Sequence, residues 1–329
     1  MFRTALFSTK TYDRKHFSAI LENNRFKNHE ITYFENTLDK HTALITKEFD
    51  AICPFVNDII DKETIDVLQE SGVKLLAMRC AGFNNVDIPY SKDKIPVCTV
   101  PSYSPQSIAE HAFAMLLTLT RNLQHSYVRV REFNFSLSGL EGTTMYGKTL
   151  GLIGFGRIGR IMADIAKGFK MKVIVHDDWA QKDPAVNFTD LPTLLKESDF
   201  ISLHCPLTDK TFHMIDRNAI SQMKDHAVLV NTSRGALVDS TALLENLKNG
   251  KLKGACLDVY EEENNLFYSD LSSEIIQDDI ISRLISLPNV LVSGHQAFLT
   301  TEALEQIAYT TMENIRSYLE DGVLLNGVN

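Results

Sequence analysis

Short apolar runs recur along almost the whole sequence and alternate with stretches of helical character, and that rhythm admits few folds. An apolar run without polar alternation suits a strand buried on both faces, and a helix-length segment between two such runs suits the crossover of a parallel βαβ unit. Candidate strands early in the chain are Ala5-Leu6-Phe7, Ala51-Ile52-Cys53 and Lys74 to Met78. A second series opens with Lys148 to Ile153 and continues through Val173-Ile174-Val175, Phe200 to Leu203, Ala227 to Val230, Ala255-Cys256-Leu257 and Val290-Leu291-Val292. At 329 residues the chain exceeds one ordinary core, so the fold class expected is α/β with two doubly wound parallel-sheet domains.

An apolar helix expected from near Ser107, through Ile108, Ala112, Met115, Leu116 and Leu119, joins the two series. Pro101 and Pro105 lie in the loop that enters it. A last helix, from about Glu302 to Leu319, gathers Leu304, Ile307, Ala308, Thr311, Ile315 and Leu319 on one face. Packing of that face against the N-terminal series would make the first domain discontinuous. The expected bounds are residues 1–100 with 299–329 for one domain and 101–298 for the other.

Composition narrows the partners. With 44% apolar and 23% charged residues the chain is globular rather than disordered. A net charge of -9 argues against nucleic acid or an anionic membrane as a partner, because both reward clustered Lys and Arg. No apolar run approaches the ~18 residues of a membrane span. The N-terminus passes straight into Ser8-Thr9-Lys10 without a secretory apolar core, so a cytoplasmic location is expected. Cys53, Cys80, Cys98, Cys205 and Cys256 are odd in number and scattered, which suits reduced thiols better than disulfides or a metal site; no metal is expected.

The strongest local motif is Gly154-Phe155-Gly156-Arg157-Ile158-Gly159. A glycine triplet alone is weak, but here a strand precedes it, a helix from Arg160 through Ala166 follows, and a second strand ends in Asp177, close to the roughly 20-residue spacing of a Rossmann unit. Gly154 permits the tight turn, Gly156 admits a pyrophosphate close to the backbone, and Gly159 lets helix and strand approach. The helix N-terminus offers N–H groups and partial positive charge to phosphates. Asp177 can accept from ribose hydroxyls and, with Asp178 beside it, would repel a 2′-phosphate, so NAD is expected rather than NADP.

In open α/β sheets ligands bind at the carboxyl ends of the strands. Those ends read His204-Cys205-Pro206, Asn231-Thr232-Ser233-Arg234-Gly235, Asp258 to Glu263, and Gly294-His295. Hydride transfer to a 2-oxo acid needs a cation for the carboxylate, an acid for the developing alkoxide, and an anion to keep that acid charged. Arg234 offers a planar fork, His295 titrates in the useful range, and Glu263 can support an imidazolium. Taken singly each has a plain alternative: a surface arginine, a structural histidine, a solvated acidic run at Glu261-Glu262-Glu263. Their position after successive strands of a nucleotide-binding domain is what joins them.

These segments resemble the D-isomer-specific 2-hydroxyacid dehydrogenase family, over essentially the whole chain. The similarity lies in Arg79 to Asp87, Pro101 to His111, Leu150 to Gly159, Leu203 to Thr208, Asn231 to Gly235, Asp258 to Glu263 and Gly294 to Thr300. The resemblance implies a Rossmann-like NAD domain inserted in a flavodoxin-like substrate domain, assembled as a homodimer or homotetramer. It places the family's arginine, glutamate and histidine on Arg234, Glu263 and His295. Its cofactor contacts fall on Arg157, Ile158, Asp177, Cys205, Pro206, Thr211, Thr232, Ser233 and Asp258. The turn at Ala81 and Gly82 resembles a backbone cradle for the substrate carboxylate, and Tyr103 and Phe298 resemble pocket-lining residues. Lactate-type members are the nearest likeness, so pyruvate and D-lactate are the expected substrates. A bulkier 2-oxo acid is the alternative, and an NAD-sensing regulatory protein the remote one. His176 stands where an aromatic is common, and Leu299 where some relatives carry tyrosine. Because the sequence stops soon after its last helix, the regulatory domain of some phosphoglycerate dehydrogenases is not expected.

Overall fold

The N-terminal series of apolar runs folds into one parallel sheet: β1 (Phe2–Leu6), α1 (Thr11–Leu21), β2 (His29–Tyr33), β3 (Ala51–Cys53), α2 (Lys62–Glu70), β4 (Leu75–Ala77), α3 (Ile88–Ser91) and β5 (Val97–Cys98). The computed structural model describes residues 1–181, 183–263 and 266–329. The strand order β2-β1-β3-β4-β5, all parallel, is the flavodoxin-type order. The chain's last helix, Thr301–Asp321, covers this sheet: Ala308, Met312 and Ile315 share one core with Leu6, Phe17, Cys53 and Ala77. Thr300 caps its N-terminus by accepting from Ala303 N, and Gly322 ends it in the left-handed region at φ 69°.

The second series forms its own sheet. Its elements are α4 (Pro105–Thr120), α5 (Leu123–Arg131), β6 (Thr149–Ile153), α6 (Arg157–Gly168), β7 (Lys172–His176), β8 (Asn187–Phe188), α7 (Leu191–Glu197) and β9 (Phe200–Leu203). They continue with α8 (Arg217–Gln222), β10 (Ala227–Asn231), α9 (Ser240–Lys248), β11 (Leu252–Leu257), α10 (Asp279–Ser286) and β12 (Val290–Val292). The seven strands run β12-β11-β10-β9-β6-β7-β8, again all parallel. This is the Rossmann order with one strand added, and it reverses between β6 and β9. Separate apolar clusters fill the two faces, which explains the unbroken apolar character of β6, β9 and β10.

The compact units are Met1–Ser104 with Phe298–Asn329, and Pro105–Ala297. These bounds correct the expected breaks at residues 100 and 299. Ser104 N–H donates to Gln306 Oε1 on the last helix at 3.0 Å, and Phe298 packs on Tyr12, Phe55 and Tyr103, so both belong to the first unit. The helix expected near Ser107 begins at Pro105, and the one expected from Arg160 begins at Arg157, because proline and a glycine N-cap both suit a first turn. Strands β2, β5 and β8 escaped the apolar pattern: β2 alternates, and the other two are very short. Among the described residues no helix is long and apolar enough to cross a membrane.

Candidate functional site

The turn after β6 shows why three glycines stand where they do. Gly154 has φ +97°, and a Cβ there would lie 2.5 Å from the carbonyl of His204. A Cβ on Gly159 would lie 2.3 Å from Gly154 O, so helix α6 can approach the strand only with glycine there. At Gly156 a Cβ would meet nothing within 4 Å. The packing leaves that position open, and the N-terminus of α6 carries no side-chain cap. Unmet N–H groups facing open space are what a pyrophosphate needs. Arg157 is exposed on the first turn and Ile158 half-buried behind it.

Asp177 follows β7. Its Oδ2 accepts from Phe155 N at 2.7 Å, and its Oδ1 accepts from Trp179 N and Ala180 N at 2.8 Å each. Partial burial pushes this carboxyl up, but the three backbone donors prevail and hold it below the usual carboxylate range. It therefore stays ionised beside the glycine turn, as a ribose acceptor must. Residues at the next strand ends are tied together. Ser233 Oγ donates to Cys205 O at 2.7 Å, and Thr211 Oγ1 donates to Pro206 O at 2.7 Å. The Cys205 thiol is buried against Met214 Sδ and pushed up to about 11 by burial, so it is no reactive thiolate. Thr232 Oγ1 is buried and without a hydrogen-bond partner among the described residues. An orphaned hydroxyl, an open glycine turn and an ionised acid together fit a dinucleotide.

His295 follows β12, Glu263 follows β11 and Arg234 follows β10, three adjacent strands. His295 Nδ1 and Glu263 Oε1 are 2.8 Å apart. The other carboxylate oxygen accepts from Tyr260 N at 2.9 Å, which fixes the acid. With Nδ1–H on the carboxylate, Nε2 is the nitrogen left for chemistry. Glu261 instead meets His213 Nε2 at 2.5 Å, and Glu262 is exposed, so of the three acids only Glu263 reaches His295. Arg234 is half-buried and has no carboxylate partner among the described residues; its Nη1 donates to Ser233 O at 2.7 Å. Asn231 Nδ2 donates to Arg234 O at 2.8 Å and holds the turn.

Asp258 has an occupation that its sequence position does not reveal. It is fully buried and accepts from Ser293 Oγ at 2.7 Å and from Gln296 N and Ala297 N at 2.9 Å each, with His111 Nε2 at 3.4 Å. Burial pushes its carboxyl up, but these donors hold it below the usual range. Its own carbonyl accepts from His295 N at 2.7 Å. Asp258 thus folds the loop that carries His295, whose backbone sits in the left-handed region at φ 49°. Both side-chain oxygens are engaged within the unit. His111 belongs to the same network, with Nε2 3.1 Å from Ser293 Oγ.

In the first unit, the N–H groups of Ala81 and Gly82 donate to no acceptor among the described residues. Tyr12, Phe55 and Tyr103 surround Phe298 with ring centroids 6.3 to 6.4 Å away, an apolar wall. Burial pushes the Tyr12 phenol up to about 12, so the wall is neutral. Arg79, read only as the start of a motif, is a buried cation that ties the strand ends. It donates to Ser8 O at 3.0 Å and Cys53 O at 3.3 Å, pairs with Asp13 at 3.3 Å and lies over the Phe55 ring.

Residues 113–297 match the family model described as D-isomer specific 2-hydroxyacid dehydrogenase, NAD binding domain. The chain is 47% identical to the D-lactate dehydrogenase of Escherichia coli over 97% of both chains. The apo-structure of D-lactate dehydrogenase from the same organism superposes with a TM-score of 0.90 at 44% identity, covering 100% of each chain. A structure identifying the pyruvate reductase of Chlamydomonas reinhardtii superposes with a TM-score of 0.92 at 39% identity, over 99% of this chain and 98% of that one.

Proposed function

The chain belongs to the D-isomer specific 2-hydroxyacid dehydrogenase family, and from that premise we propose that it is an NAD-dependent D-lactate dehydrogenase that reduces pyruvate. The observation that carries the chemistry is the 2.8 Å contact of His295 with Glu263, with Arg234, after the adjoining strand β10, left without a carboxylate partner among the described residues. The likeness over the full chain to D-lactate dehydrogenases and to a pyruvate reductase supports the choice of substrate.

NADH, when bound, supplies the hydride that adds to C2 of the 2-oxo acid. Arg234 binds the carboxylate with its guanidinium fork and polarises the carbonyl. His295 Nε2 delivers a proton to the carbonyl oxygen as it becomes an alkoxide, while Glu263 holds the ring in orientation. Within the first unit, the open N–H groups of Ala81 and Gly82 suit a carboxylate, and Tyr103 and Phe298 form an apolar wall. Gly154, Gly156, Arg157, Ile158 and Gly159 receive the pyrophosphate, and Asp177 the adenosine ribose. Asp177 and Asp178 disfavour the extra phosphate of NADPH. The deciding measurement is a panel of 2-oxo acids assayed with NADH and NADPH. Pyruvate with NADH is expected to give the highest kcat/KM. Faster turnover of 2-oxoisocaproate would replace the reading with a dehydrogenase for bulkier D-2-hydroxyacids.

The protein is proposed to act in the cytoplasm as a homo-oligomer. Helix α5 and the exposed segment after it present Leu123, Tyr127, Val130, Phe133, Phe135 and Leu137 to solvent. A contiguous apolar run of this kind asks for cover, and the occupant proposed is a second copy of this chain. Sedimentation of a Phe133→Glu, Leu137→Glu variant should show monomers; an unchanged oligomer would place the interface elsewhere.

A further inference from the structure

We propose that His213 and Glu261, which lie outside the reacting groups, form a positioning pair that sets Arg234 against the Glu263–His295 pair. The inference rests on the function proposed above and deepens it. The turn carrying Arg234 is pressed onto the acidic loop: a Cβ on Gly235 would stand 2.0 Å from the Tyr260 carbonyl carbon and 2.4 Å from Glu261 N. Packing this tight transmits any movement of one loop to the other.

The His213–Glu261 contact sits at that junction, and both side chains are mostly buried. Nε2 and Oε1 are 2.5 Å apart, with 30% and 21% of the side chains exposed. Each member is anchored by its backbone or its second oxygen. His213 N donates to Ala236 O at 2.9 Å, in the turn just after Arg234. Glu261 Oε2 accepts from Ser240 N at 3.4 Å, at the start of α9, where the helix dipole favours a carboxylate. His213 also ends the cofactor loop, whose Thr211 hydroxyl binds Pro206 O and whose Cys205 carbonyl receives Ser233 Oγ. The pair therefore joins the loop expected to meet the cofactor, the loop of the substrate cation and the loop of the acid.

A second observation is independent of the contact. His213 has φ 49°, the same left-handed value as His295. A non-glycine residue held there is strained, and such strain persists only where the surroundings over-determine it, most often at functional sites. Both histidines that meet an acid of the 261–263 run are held in this way. For His295 the brace is Asp258; for His213 it is Ala236 O together with Glu261.

The test compares Glu261→Gln, His213→Gln, the double variant and His213→Lys, using whichever 2-oxo acid the unaltered protein reduces best. Failure of the substrate assignment would show in the unaltered protein and failure of the pair only in the variants. Each single Gln variant should lower kcat/KM about tenfold, mainly through KM for the 2-oxo acid, since Arg234 is the group displaced. The NADH Kd, read by fluorescence titration, should stay within about twofold. The double variant should be no worse than the singles, because all remove one interaction. His213→Lys places a new donor opposite Glu261 and should recover part of the loss. Unchanged kcat/KM, additive losses, or equal loss of NADH affinity would overturn the proposal.

Discussion

At the scale of single residues the proposed reacting set depends on neighbours as much as on its own chemistry. Replacing His295 by Gln is expected to lower kcat for pyruvate reduction by roughly 10²–10⁴, with NADH affinity nearly kept, because general acid–base help is lost and cofactor contacts are not. Steady-state kinetics beside a fluorescence titration would separate the two, and a matching loss of NADH affinity would contradict the assigned role. Asp258 is expected to matter as much without touching the reacting atoms. Asp258→Asn leaves donors from Ser293, Gln296, Ala297 and His111 facing an uncharged group. Loss of a buried, hydrogen-bonded charge costs about 3 kcal/mol, so both the urea midpoint and kcat should fall. A variant with an unaltered midpoint would show that the His295 loop is held by something else. Arg234, Glu263 and His295 could be picked from the sequence because each follows a readable strand. The roles of Asp258, His111 and Arg79 could not, since their partners are distant in sequence.

At the scale of elements, the β6–turn–α6 unit separates packing from binding. Gly154→Ala meets a backbone carbonyl at 2.5 Å from a φ of +97° and should destabilise the protein by more than about 2 kcal/mol. Gly156→Ala meets nothing within 4 Å at a φ of -73°, so the midpoint should hardly move. The added methyl would nonetheless occupy the space meant for the pyrophosphate, and NADH affinity should weaken at least about tenfold. Thermal denaturation with and without NADH would read both effects; a Gly156→Ala protein that binds NADH normally would place the phosphates elsewhere. The element-level pattern was largely legible because parallel strands buried on both faces leave continuous apolar runs. Strand β2 was not, since it alternates, and β5 and β8 are too short to make a pattern.

At the scale of the whole molecule, stability is tied to pH through a buried histidine. The ring of His204 is enclosed at the end of β9, with Ser202 Oγ 2.9 Å from Nε2 and no hydrogen-bond partner for Nδ1 among the described residues. Burial pushes its pKa down to about 4. An unfolded histidine protonates near pH 6.5, so the unfolded chain binds more protons between about pH 6.5 and about pH 4. That stability is fully present above the unfolded value and is lost as pH falls toward the folded one. The loss from this group is about 2 kcal/mol between about pH 7 and about pH 5. Urea midpoints of the unaltered protein should drop across that range, and His204→Gln, which cannot titrate, should flatten the slope. An equal slope in the variant would assign the acid sensitivity to other groups.

The order of apolar runs and glycines along the chain was enough to specify two parallel sheets, a nucleotide turn and the strand ends where chemistry belongs, because strand burial and turn geometry are local demands on residue type. Which acid faces His295, what folds its loop, and where one unit ends and the other begins were decided only in three dimensions. Glu261 and Glu263 are the same residue type in one short run, and their different partners come from packing against Tyr260, Gly235 and His213. Phe298 and Ser104 fall to the first unit for the same reason: long-range contacts, invisible in local sequence, outweigh chain order.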